Sequence, residues 1–101
     1  MRLIALYRQP PDPQAFDKAY FGTHLPLMGK VPGLQASVVS KFTRTVMGEG
    51  FYMMADMAFP DEGTLKQAMR SPEMAAAGEN LATFAEGLVT LMFAEDPVPA
   101  G

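Results

Sequence analysis

His24 is the only histidine in the 101 residues, and it follows Phe16 and Tyr20 at steps of four. Such spacing puts the three side chains on one face of a helix. Imidazole exchanges protons near neutral pH, and the dipole at a helix carboxyl end favours its charged form. We therefore read His24 as a catalytic acid or base with Tyr20 beside it. The plainer role is a cap on the last helical carbonyls, and the shared face with two aromatic rings favours the pocket. Tyr7, Tyr20 and Tyr52 each carry a hydroxyl on an apolar body, which suits them to orient a carbonyl or a phenol in a buried cavity, although each also fits an ordinary core position. Asp56 stands among methionines on the strand face assigned to Tyr52 and Met54, where a carboxylate either meets a ligand or pairs with an arginine. Tyr7, Phe16, Tyr52 and Asp56 form the candidate ligand-binding set.

Other chemistries lack their residues. A site with several histidine ligands is impossible within one chain, no carboxylate pair stands at a metal-binding spacing from His24, and no metal is expected. With no cysteine there is no thiolate nucleophile, iron–sulfur ligand or disulfide framework. Ser37, Ser40 and Ser71 sit in no nucleophile elbow, and neither a phosphate loop nor a dinucleotide fingerprint occurs, so no cofactor is expected. The nine methionines suggest an adaptable apolar lining, though methionine more often simply fills gaps in a core.

The elements that position these residues follow from punctuation and periodicity. A strand over residues 2–8 ends at Pro10-Pro11-Asp12-Pro13. Asp12 caps a helix with Pro13 in its first turn, which runs to Thr23 or His24, since Pro26 pushes Leu25 out of the helical region. Strand two is expected over 34–44, a hairpin over 46–50 and strand three over 51–59. Asp61 caps a helix carrying Leu65, Ala68 and Met69. Ser71-Pro72-Glu73 opens a last helix with Met74, Ala77, Leu81 and Phe84 as its buried stripe. Gly87 closes it, and strand four covers 88–94. The order β-α-β-β-α-β is the α+β, ferredoxin-like arrangement, an antiparallel sheet with its helices on one face. Strands one and four are apolar at nearly every position, so the other face should be covered too, most simply by a second copy. One domain over 1–96 and a flexible tail over 97–101 account for the length.

Composition narrows the partners. Apolar residues make up 49% and charged residues 19%, enough to build a core. The net charge of −3 comes with no basic cluster, which argues against nucleic acid. The short apolar run after Arg2 resembles no signal peptide, and residues 88–94 are far too few to span a bilayer. A cytoplasmic homodimer that binds a small apolar molecule is the expectation.

Two motifs add a resemblance. Phe16-x-x-x-Tyr20-x-x-x-His24-Leu25-Pro26-Leu27 with Pro32-Gly33-Leu34, and Ser71-Pro72-Glu73 with Ala75-Ala76-Ala77 and Asn80-Leu81-x-x-Phe84, resemble the two signatures of EthD-domain proteins. The resemblance implies a dimeric α+β barrel with a pocket between sheet and helices in each subunit. The family's type member belongs to an operon for oxidative degradation of ethyl tert-butyl ether. Families of the same fold include isomerases, polyketide cyclases, cofactor-independent monooxygenases and haem peroxidases, so fold leaves the reaction open. His24 matches the family's histidine, whereas Tyr20 replaces a frequent tryptophan and Asn80 a frequent aspartate. Three functions compete. The first is a metal-free oxidoreductase or isomerase-type enzyme using His24. The second is a non-catalytic accessory protein for an oxidative pathway, and the third, the weakest, is a haem protein with His24 as axial ligand.

Overall fold

The computed structural model describes residues 1–100. Four strands, β1 (Arg2–Tyr7), β2 (Ala36–Lys41), β3 (Met53–Ala58) and β4 (Val89–Ala94), form one antiparallel sheet in the order β2-β3-β1-β4. The central strand β1 pairs with β3 through Ala5 opposite Ala55 and with β4 through Ala5 opposite Leu91. Helices α1 (Pro13–Ala19), α2 (Leu25–Met28), α3 (Glu62–Met69) and α4 (Pro72–Ala85) complete the ferredoxin-like α+β order. None among the described residues is long and apolar enough to cross a membrane.

Local chemistry sets the helix starts. The carboxylate of Asp12 accepts from Ala15 N–H, Asp61 accepts from Thr64 N–H at 2.7 Å, and the Ser71 hydroxyl accepts from Met74 N–H at 3.1 Å. Each satisfies an amide that has no partner within its helix. Gly87 ends α4 at φ +76°, a conformation that glycine adopts without steric cost.

Leu25 departs from expectation. It is helical, at φ −61° and ψ −43°, and the chain continues through a π-helical turn, Tyr20–His24, into α2. Pro26 has no N–H and its ring would crowd the carbonyl of Gly22 in a regular α-helix. The wider turn, in which Leu25 N–H donates to Tyr20 C=O five residues back, admits the proline without ending the helix. Strands two and three are each shorter than the alternation implied, and the segment between them is an extended excursion whose Val46 and Met47 stand about 90% exposed.

The core lies between sheet and helices. Leu3, Ala5 and Tyr7 of β1 and Met53, Ala55 and Met57 of β3 are buried beneath Phe16, Tyr20, Leu65, Ala68 and Ala77. The outer sheet face carries half-buried Ile4, Leu6 and Met54 with the more exposed Val38 and Met92. On the edge strand β4, Leu91 and Phe93 share the helix-side face with Ala5 and Leu3 yet remain 48% and 44% exposed, because the helices do not reach over that edge.

Candidate functional site

A cavity of about 130 Å³ lies between the sheet and the helices. Leu3, Ala5 and Tyr7 form its floor, Tyr20 and His24 of the π-helical turn one wall, and Ala77, Gly78 and Leu81 of α4 the other. Met28, Met57, Met69 and Met74 supply thioethers around it. Met69 and Leu91, both partly open to solvent, mark where it meets the surface. No charged side chain lines it among the described residues.

His24 is 5% exposed. Its Nδ1 donates to Oδ1 of Asn80 on α4 at 3.2 Å. With the proton held on Nδ1 by this oxygen, the neutral ring presents Nε2 as a lone-pair base. Burial lowers the imidazole below its ordinary pKa, and the hydrogen bond to Asn80 and the backbone of Ala77 only partly oppose this. The ring is flanked by Tyr20 at 5.5 Å and Phe84 at 5.9 Å between centroids.

The phenols respond to burial in the opposite direction. Tyr7 is raised well above its ordinary pKa by burial, with the nearby Tyr20 adding to the rise, and burial pushes Tyr20 up to about 12. Both are O–H donors at neutral pH. Neither hydroxyl forms a hydrogen bond with another described residue, while the two rings meet edge to face at 5.6 Å.

Tyr7, Tyr20 and His24 thus share one cavity, and the other three candidates lie elsewhere. Phe16 sits behind the lining, stacked on Tyr20 at 6.1 Å and edge-on to Tyr7 at 5.4 Å, so it supports the walls without meeting the cavity. Tyr52 packs edge-on against Phe16, and its hydroxyl donates to Asp17 of α1 at 2.7 Å near the surface. The backbone bends at Tyr52 ahead of β3, which turns its ring to the helix side and away from the face of Met54. Asp56 faces outward and pairs with Arg2 at 3.4 Å, on the sheet face opposite the cavity. Residue-type reasoning did not single out Gly78 and Leu81 as lining. The helical steps linking Ala77, Leu81 and Phe84 were the available signal for that wall.

A family model, the EthD domain, matches residues 8–87. The chain belongs to the EthD-domain family. It is 47% identical to an ethyl tert-butyl ether degradation (EthD) family protein from Bacillus halodurans, whose crystal structure superposes with a TM-score of 0.89 over 95% of this chain and 97% of that one. It is 32% identical over 97 residues to an 11.0 kDa protein of the thcB-thcC intergenic region of Rhodococcus erythropolis, covering 94% of this chain and 93% of the relative. More distant structures show the fold alone. One is a dimeric protein of ferredoxin-like fold from Bacteroides fragilis, at 19% identity and TM-score 0.63 over 90% of each chain. Another is a hydroxynitrile lyase from Passiflora edulis, at 14% identity and TM-score 0.71 over 97% of this chain and 95% of that one.

Proposed function

We propose that this EthD-domain protein holds a small apolar molecule between its sheet and helices and moves a proton on it with His24. One observation carries the reading: a buried imidazole, engaged at Nδ1 by Asn80, stands in the wall of a cavity that no charged side chain lines among the described residues. Nε2 takes a proton from the carbon beside a ligand carbonyl while a tyrosine hydroxyl donates to the oxygen. The ring then returns that proton at another carbon, and the product is an isomer. In the oxidoreductase form of the same reading dioxygen is the co-substrate. The deprotonated carbon gives its electron pair to it, a C–O bond forms, and the resulting peroxide takes up a proton to leave a hydroperoxide. A cofactor-independent oxygenase of this fold supports that use. The hydroxynitrile lyase of this fold lends support to an enzymatic use of the cavity.

Deuterium exchange tests this without knowledge of the product. Small enolisable ketones such as cyclohexanone, incubated with the protein in D₂O, should exchange the hydrogens beside the carbonyl, as read by NMR. His24→Gln should slow that exchange by roughly 10²–10⁴-fold. Ligand binding with no catalysed exchange would remove the acid–base role. It would leave a second reading, a non-catalytic carrier for an oxidative pathway. The neutral amide of Asn80 favours that second reading, since it stabilises an imidazolium less than a carboxylate would.

The assembly we propose is a cytoplasmic homodimer. Ile4, Leu6, Val38 and Met92 form an outer sheet face that a second copy would cover, and a dimeric neighbour of the same fold supports this.

A further inference from the structure

Three features of the cavity define its ligand more closely than small and apolar. The first is size. An apolar cavity of about 150 Å³ engineered in another protein takes up benzene, and the present volume of about 130 Å³ suits a similar single ring. The second is charge. Among the described residues the lining holds no carboxylate, ammonium or guanidinium, and an ionised ligand entering it would lose its hydration with no counter-charge in return.

The third is polarity at one place. Tyr7 and Tyr20 are 1% and 2% exposed and both line the cavity, yet neither hydroxyl hydrogen-bonds to another described residue. Among the described residues Arg2 Nε is the one enclosed side-chain polar atom without a partner, so these two hydroxyls are not sealed in protein and reach open space beside the cavity, where water or a ligand can pair them. Packing does not explain two phenols where two phenylalanines would fill the same space. An oxygen brought by the ligand does. His24 completes the arrangement, since its Nδ1 is already engaged by Asn80 and Nε2 is left for the carbon beside that oxygen.

We propose, resting on the reading above, that the cavity binds an uncharged one-ring molecule carrying a single oxygen, and that the hydroxyls of Tyr7 and Tyr20 receive that oxygen. The two phenols act as a clamp that selects oxygen-bearing rings over hydrocarbons, and the uncharged lining rejects carboxylates. Aliphatic and aromatic rings are both accommodated, because four flexible thioethers adapt to either.

The test uses cyclohexanone, phenol, toluene and benzoate as probes on the intact protein, with binding followed by NMR shifts of the cavity residues. Cyclohexanone and phenol should bind, toluene more weakly, and benzoate at least tenfold more weakly than phenol. Tyr7→Phe and Tyr20→Phe should each weaken phenol by about threefold to tenfold, the worth of one hydrogen bond, and leave toluene unchanged. Each substitution removes only an unpaired oxygen, so the variants should melt no lower than the parent, and that melting point is measured alongside. Benzoate binding as tightly as phenol, unchanged phenol affinity in both variants, or no cavity shift with any neutral probe at millimolar concentration would each overturn the proposal. The two readings fail separately. Unchanged phenol binding in the Phe variants with His24-dependent exchange removes the clamp alone, whereas tyrosine-dependent binding with exchange unaffected by His24→Gln removes the base alone.

Discussion

Gly78 is the seventh of the fourteen residues of α4, in the interior of a helix where glycine is a poor choice. A glycine there costs about 0.8–1.0 kcal/mol relative to alanine. Close approach of a neighbour would justify it, but a methyl group added at this position meets no atom within 4 Å. The cavity supplies the other reason, because Gly78 forms part of its α4 wall and a large side chain there would intrude on the ligand's space. Gly78→Ala should therefore stabilise the protein by about 1 kcal/mol, with no packing penalty to set against the helical gain. For a domain of this size that raises the melting temperature by roughly 4–8 °C, which calorimetry or thermal circular dichroism would resolve. Gly78→Phe should keep the helix, fill much of the cavity and abolish phenol and toluene binding. A lower melting temperature for the alanine variant would mean that the space beside α4 is not free, and would refute the reasoning. Undiminished probe binding to the phenylalanine variant would show that Gly78 does not border the ligand.

Other outcomes follow from the same geometry. Leu65 is fully buried on the inner side of α3, so Leu65→Ala should cost about 2–5 kcal/mol in chemical denaturation, and a loss under about 1 kcal/mol would mean that the helix packs elsewhere. His24 has a lower pKa folded than unfolded, so the unfolded chain binds the proton more readily. Stability should fall as pH drops below about 6.5, down through the folded value, and His24→Gln should flatten that slope in urea titrations at several pH values. Catalysed exchange should decline over the same acidic range, because the base is then protonated. Tyr52→Phe should cost roughly 0.5–1.5 kcal/mol through the lost bond to Asp17 and leave phenol affinity unchanged, since the ring lies outside the cavity. Ile4→Glu combined with Met92→Glu should convert a sedimenting dimer to a monomer, and a parent protein already monomeric at micromolar concentration would end the homodimer proposal.

Caps and hydrophobic steps made the fold legible. Asp12, Asp61 and Ser71 announced three helix starts through their residue types, and each side chain makes the expected bond. What escaped was the passage through Pro26. The rule before proline states a preference, and Leu25 stays helical against it; the π-helical turn relieves the separate clash of the Pro26 ring with the carbonyl of Gly22, which would otherwise end the helix. The strand ends were overextended for a related reason. Phe42 still bonds across to Tyr52 at 2.9 Å although it lies outside β2, and Phe51 continues the apolar pattern beyond β3, so pattern alone carries no information on where pairing stops.

The site divides along a physical line. His24 and Tyr20 were legible because they share one helix, where spacing fixes neighbours, and Tyr7 through its residue type, since the alternation of its strand shows in burial and not in its nearly all-apolar sequence. Tyr52 and Asp56 were joined by the same alternation, which holds only while the backbone stays extended. A bend at Tyr52 reverses its side, and it then binds Asp17 on α1 while Asp56 remains with Arg2 on the far face. Asn80 lies 56 residues from His24, and no local period connects them. Their meeting depends on α4 packing across the π-helical turn. That turn does more than admit Pro26, since it carries His24 in its last position, within reach of both the cavity and the amide oxygen of Asn80. Replacing Pro26 by alanine removes the need for the wider turn. If α1 then runs on as a regular helix, the ring of His24 rotates away from Asn80. The Nδ1 proton resonance should lose its hydrogen-bonded shift, and catalysed exchange should fall even though no side chain of the cavity has been altered. An unchanged resonance in Pro26→Ala would mean that packing by α4, and not the proline, holds the turn.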